Sequence, residues 1–183
     1  MKNKGYTLIE LVIVMTITVI LSAGSFVIIG IMREAKRQSA TNTFNNQISS
    51  CLIRTKAVST ATNTTDKPLC MVIKQRTDGA YVLMTGYVDG GNVLDASGAA
   101  LDPDVAANCD AVLPKEIVKI EYDSSDPAQE FPGGTMVIQF IKSYGSTRYG
   151  GGSYKLYAGT KASSAKLYAT IYLDPVSGKN YVK

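Results

Sequence analysis

The stretch KNKGYTLIELVIVMTITVILSAGSFVIIGIM, residues 2–32, decides what kind of chain this is. Its last 22 residues, 11–32, carry no charge and are mostly Ile, Val, Leu and Met. Roughly 20 such residues cross a bilayer core as a helix, the form in which a backbone satisfies its own hydrogen bonds in lipid. Lys2 and Lys4 precede the run and orient the N-terminus toward the cytoplasm. A cleaved secretory signal shares the basic start and apolar core, but should end in small residues. Ser22, Ala23, Gly24 and Ser25 are small, yet the apolar run resumes from Phe26 to Met32, so the stretch reads as retained. A plain single-pass anchor is the other simple reading, and Glu10 disturbs it. A carboxylate at the edge of an apolar span is costly to insert and implies a partner.

Read as a whole, Lys2-Asn3-Lys4-Gly5 followed by Tyr6-Thr7-Leu8-Ile9-Glu10 and the apolar run resembles the class III signal of type IV prepilins. The resemblance implies cleavage after Gly5 by a prepilin peptidase and methylation of the new N-terminal residue, Tyr6. It also implies that Glu10 pairs with the Tyr6 amine of a neighbouring subunit during filament assembly. Opposite charges attract far more strongly in a low-dielectric filament core than in water, and such a pair sets the axial stagger. Two departures stand out: Tyr6 replaces the commoner Phe, and Val27 occupies a position where many major pilins carry proline. Gly24 and Gly30, with Ser22 and Ser25, are the weak helical spots instead. Thr16, Thr18, Ser22, Gly24 and Ser25 read either as a small-residue packing surface or as hydroxyls satisfied by their own helix.

Beyond the apolar run, Ala40, Phe44, Ile48 and Cys51 or Leu52 fall on one helical face. The Thr- and Asn-rich residues 59–67, followed by Pro68, end the pattern. Residues 6–60 therefore read as one helix of roughly 80 Å at ~1.5 Å per residue. Residues 8–32 form its membrane or filament-core half, and the rest packs on a head. After it come strand-like runs at 69–76, 80–88, 117–122, 136–141, 154–158 and 166–174. Thr77-Asp78-Gly79 makes a hairpin between the first two, and a turn at 174–179 leads to a last short strand. Residues 90–114, rich in Gly, Asp and Ala, show no period and read as a long functional or mobile loop. The expected fold class is α+β: a long N-terminal helix against an antiparallel β-sheet, as in type IV pilins. Residues 1–5 are the leader, 6–60 the helix and 61–183 the β-rich head. The DPVSGK run at 174–179 also resembles the C-terminus of H-type pseudopilins and FimT-like minor pilins.

Composition narrows the chemistry. The 183 residues contain no histidine and no tryptophan, which removes His-dependent triads, His-ligated zinc and haem with a proximal His. The net charge of +4 alone does not imply nucleic acid. Cys51, Cys70 and Cys109 cannot all pair within one chain. Three accounts stay open: one disulfide plus a free thiol, with Cys51–Cys70 stapling helix to strand; a zinc site of three thiolates completed by Asp110; or reduced packing residues. Asp89, Asp95, Asp102, Asp104 and Asp110 raise calcium, without the spacing of an EF-hand. Residues 77–130 hold 11 acidic and 2 basic side chains, whereas 131–183 hold 7 basic and 1 acidic. In the basic part, Arg148, Lys155 and Lys166 interleave with Tyr154 and Tyr157, a pattern that binds DNA or other polyanions. The blander reading has acidic and basic faces meeting between subunits while tyrosines pack the sheet.

The chain thus reads as a structural filament subunit, a minor pilin, and not an enzyme, with no resident cofactor. Its implied partners are the prepilin peptidase, other pilins and the pilus assembly machinery. It would sit in the cytoplasmic membrane as a single-pass protein before assembly and in a cell-surface filament afterwards. A type II secretion pseudopilin, or a tip receptor or adhesin for DNA or a host ligand, is the alternative.

Overall fold

A computed structural model describes residues 7–58, 68–89, 91–95, 97–132, 134–142 and 144–183, with the backbone alone at 24–27 and at 58. Helix α1 spans Leu8–Val58. The chain divides into two units, one up to residue 36 and one from 37 to 183. In the first, every described side chain is exposed, including the apolar ones. No side of this helix segment is polar enough to prefer water over lipid or a protein neighbour.

The second unit is built on the narrow stripe that its part of α1 offers. Ala40, Thr41, Phe44, Ile48, Cys51 and Thr55 are buried, at helical spacing. Against them pack two antiparallel sheets. The larger contains β1 (Leu69–Gln75), β2 (Tyr81–Asp89), β3 (Asn92–Leu94), β6 (Met136–Phe140) and β7 (Thr147–Tyr149), in the order β3-β2-β1-β6-β7. A two-residue strand, β4 (Ala111–Val112), also pairs with β2. The smaller sheet runs β10-β9-β8-β5, from Asn180–Val182, Lys166–Leu173, Gly152–Ala158 and Ile117–Asp123. The α+β class stands, with the β-structure divided between two sheets rather than one.

The last crossing of the chain from the larger sheet to the smaller has a local cause. Between β7 and β8 the chain turns at Gly150, whose φ is +84°, a conformation that costs a side-chain-bearing residue. A Cβ there would lie 2.5 Å from the Val137 carbonyl oxygen, so the strands also need glycine for close approach. The Tyr154 hydroxyl donates to the Gly150 carbonyl at 2.8 Å and clamps the turn. Tyr154 itself points inward, its ring 5.4 Å from Phe44 and 5.0 Å from Tyr122. The hairpin between β1 and β2 follows its turn chemistry: Gly79 has φ +84° and the Asp78 carboxylate accepts the Ala80 N–H at 3.0 Å.

Strand alternation gives β1 two apolar faces. Met71 and Ile73 join the core beneath the helix, with Ile48, Leu83, Ile138, Leu156 and Ile171. Cys70 and Val72 point the other way, into a second cluster with Val82, Met84, Leu101, Phe131 and Val137. That second cluster corrects the expectation of a loose segment at 90–114. Leu101 is buried, its carbonyl accepts from the Lys74 ammonium at 2.8 Å, and Leu113 enters the helix-side core. The apolar residues that anchor this segment are sparse and aperiodic, so they make no pattern along the chain.

Candidate functional site

The described chain begins just after the expected cleavage point, so Gly5 and Tyr6 lie outside the described residues. Thr7 caps the helix. Its backbone N–H and its hydroxyl both donate to the Glu10 carboxylate at 2.9 Å, and the Glu10 N–H is 3.3 Å from the Thr7 hydroxyl oxygen. This reciprocal arrangement satisfies N–H groups that a helix start leaves without intrahelical partners. Glu10 therefore finds its first partner within its own chain. Thr7 was not singled out from the sequence, although Thr-x-x-Glu before an apolar run is a helix-start signal.

Along the apolar run, the Thr16, Thr18 and Ser22 hydroxyls donate to the carbonyls of Val12, Val14 and Thr18, at 2.7–2.8 Å. Their polarity is thus returned to their own helix, as an apolar surrounding requires. The side chains of Gly24 and Ser25 lie outside the described set.

Residues 1–26 match the family described as the prokaryotic N-terminal methylation motif. The chain carries a prepilin-type N-terminus. Such a motif supports a subunit of the type IV pilin or pseudopilin kind, processed by prepilin peptidase and assembled with other pilin subunits. Comparison with curated proteins and with solved structures gives no match.

The remaining candidates lie in the head. Cys51, Cys70 and Cys109 are all free thiols. Cys51 belongs to the helix-side core, whereas Cys70 sits in the cluster on the opposite face of β1. Burial pushes the Cys51 thiol up to about 11 and the Cys70 thiol up to about 12. Cys109 is half-buried, and its thiol donates to the carbonyls of Pro103 and Val105 at 3.4 and 3.5 Å. Asp110 is taken up by Arg54, 3.3 Å away. The zinc arrangement is therefore not assembled: among the described residues no three Cys, Asp or Glu side chains converge on a metal-sized space. The period of two along β1 sends Cys70 away from Cys51.

The acidic residues of the calcium idea are likewise dispersed. Asp95 accepts from Ser97 and Ala99, and Asp104 accepts from Thr77 with Arg76 at 3.7 Å. The polyanion candidates also separate. Tyr154, 1% exposed, is a core residue and offers no stacking surface, which corrects its place in that set. Lys155 holds Asp123 at 2.9 Å, and the Tyr157 hydroxyl donates to Glu121 at 2.6 Å. Lys119 pairs with the same Glu121 and, with the Tyr157 hydroxyl, holds that carboxyl below its ordinary range. Arg148 lies on β7 of the other sheet, over the Tyr149 ring, and Lys166 opens β9.

Proposed function

We propose that the chain is a minor subunit of a type IV pilus or related filament. It is cleaved after Gly5, methylated on Tyr6 and polymerised through residues 8–32. The observation that carries this reading is the prepilin motif at residues 1–26, continuous with an apolar helical stretch whose described side chains, up to residue 36, are all exposed. An apolar surface of this kind is stable only in lipid or against copies of itself. Glu10 pairs with the Tyr6 amine of a neighbour in the assembled state, exchanging its bonds to Thr7 for a full opposite charge. The choice of a minor pilin leans on the short C-terminal likeness at 174–179. Its runner-up is a type II secretion pseudopilin; the burial of Tyr154 and the pairing of Lys155 weigh against a DNA receptor.

Mass spectrometry of the mature protein tests the processing: the N-terminus should be Tyr6 carrying a methyl group. An intact Met1 on surface material, or a cut after Ala23, refutes it. In sheared filaments, Glu10→Ala should be depleted relative to wild type while its membrane fraction is unchanged; equal incorporation sinks the pairing role.

A further inference from the structure

The lysines Lys161, Lys166 and Lys183 are exposed, and among the described residues no carboxylate lies within ion-pair reach of them. They lie along the first part of β9 in the smaller sheet, from the turn before it to the middle of the strand. Lys161 lies in the turn from β8 to β9, Lys166 opens β9, and Lys183 pairs its backbone with Thr170 of β9. Leu167, on the same edge, is 54% exposed. Arg37, the first residue of the globular unit, stacks its guanidinium 5.9 Å from the Tyr168 ring and so joins this group. Two acidic residues lie near this group in the chain: Glu116, whose carbonyl accepts the Gly159 N–H, and Glu34, three residues before Arg37 on α1.

The contacts of α1 order the head along its length. Arg37 meets Tyr168, Asn45 and Ser49 hydrogen-bond Asn180, and Lys56 approaches Gly145 at the far end. The basic edge is therefore the end at which the chain enters the head. Only residues 33–36 separate Met32, the last residue of the uncharged run, from Arg37. Those residues are part of α1, which rises about 1.5 Å per residue. Along the chain, this end of the head is therefore the part of it next to the apolar run.

We propose that this edge, with Arg37, Lys161, Lys166 and Lys183 around Leu167, docks on the anionic phospholipid headgroups of the membrane in which the chain waits before assembly. The inference rests on the pilin-type reading and extends it to the head. Lysines place ammonium groups among phosphates while an exposed Leu enters the interface, the usual division of labour in surface-bound segments. Each such charge is worth roughly fivefold in affinity for an anionic surface. The far turn of the head, with Lys142, Lys179 and the 78% exposed Val176, is also basic but lies away from the tether, and serves as the control.

The full-length chain, carrying Cys109→Ala, is placed in nanodiscs containing phosphatidylglycerol, with a nitroxide at Leu167→Cys or Val176→Cys and nickel chelated to lipid headgroups. The Leu167 label should relax several-fold faster than the Val176 label. The difference should collapse in Lys161→Gln/Lys166→Gln/Lys183→Gln, in discs of phosphatidylcholine alone, and in 1 M salt, where screening acts within about 3 Å. A difference that survives all three changes overturns lipid docking and leaves tethering alone. A Leu167 label silent in nanodiscs but immobilised in filaments assigns the edge to a neighbouring copy. A third label, at Ile20→Cys, separates the two readings: if it is exposed to water, membrane insertion itself has failed.

Discussion

The two parts of α1 share one backbone geometry and differ in everything around it. From Leu8 to residue 36 the described side chains are all exposed, and apolar residues occur on every side. From residue 37 to Val58 the helix buries a stripe of Ala40, Thr41, Phe44, Ile48, Cys51 and Thr55 and leaves charged residues such as Arg54 and Lys56 outside. The first part is designed for an apolar solvent and the second for one protein face. A helix that was a core element throughout would carry one continuous stripe, and a simple anchor would need no shaped second half.

Substitution along the same helix should expose this difference. Phe44→Ala removes a ring packed against Tyr154 and should cost the head about 3–5 kcal/mol, read by urea unfolding of the full chain in detergent. Ile20→Ala, in the exposed part, should leave head stability within about 0.5 kcal/mol. Similar costs at both positions would mean that the first half also packs into the folded unit.

Alkaline pH should weaken the head next. Unfolded thiols ionise as pH passes the ordinary 9.0, whereas burial holds Cys51 up to about 11 and Cys70 up to about 12. Burial also raises the Tyr154 hydroxyl well above its usual value. The unfolded state therefore binds fewer protons in this window, and stability, fully present below pH 9, is lost as pH rises toward 12. In the native chain at pH 8, iodoacetamide should modify Cys109 well before Cys51 or Cys70. Flat stability above pH 9, or even alkylation of all three thiols, contradicts this burial.

A gain in stability, rather than a loss, is expected at Gln139. It is 1% exposed on β6, between Cys70 and Tyr149 in register, and neither end of its amide has a hydrogen-bond partner among the described residues. Gln139→Met keeps the volume and removes the desolvated amide, so it should stabilise the head by about 1–2 kcal/mol. A raised urea midpoint with unchanged slope is the expected reading; a lowered one points to a buried water that the amide holds.

Local patterns account for much of this. The stripe at Ala40, Phe44 and Ile48, the Asp78-Gly79 turn and most strand runs stand where periodicity and turn chemistry put them. The anchoring of 90–114 escaped that reading, because Leu101 and Leu113 are single apolar residues whose partners are remote in sequence. The Asn180 amide, which donates to the Asn45 carbonyl at 2.9 Å, escaped for the same reason.

By itself the sequence determined the membrane-grade helix, its prepilin-type start and the α+β class, because each rests on neighbours along the chain: an uncharged run, a Gly-aromatic junction, helical and strand periods. Tertiary structure decided which side chains meet. It sorted the strands into two sheets, with the last crossing at Gly150, drew Tyr154 into the core, set Cys51 and Cys70 on opposite faces of β1, and spread the acidic residues among separate partners. These outcomes depend on register and on contacts between residues far apart in the chain, which a one-dimensional pattern does not encode.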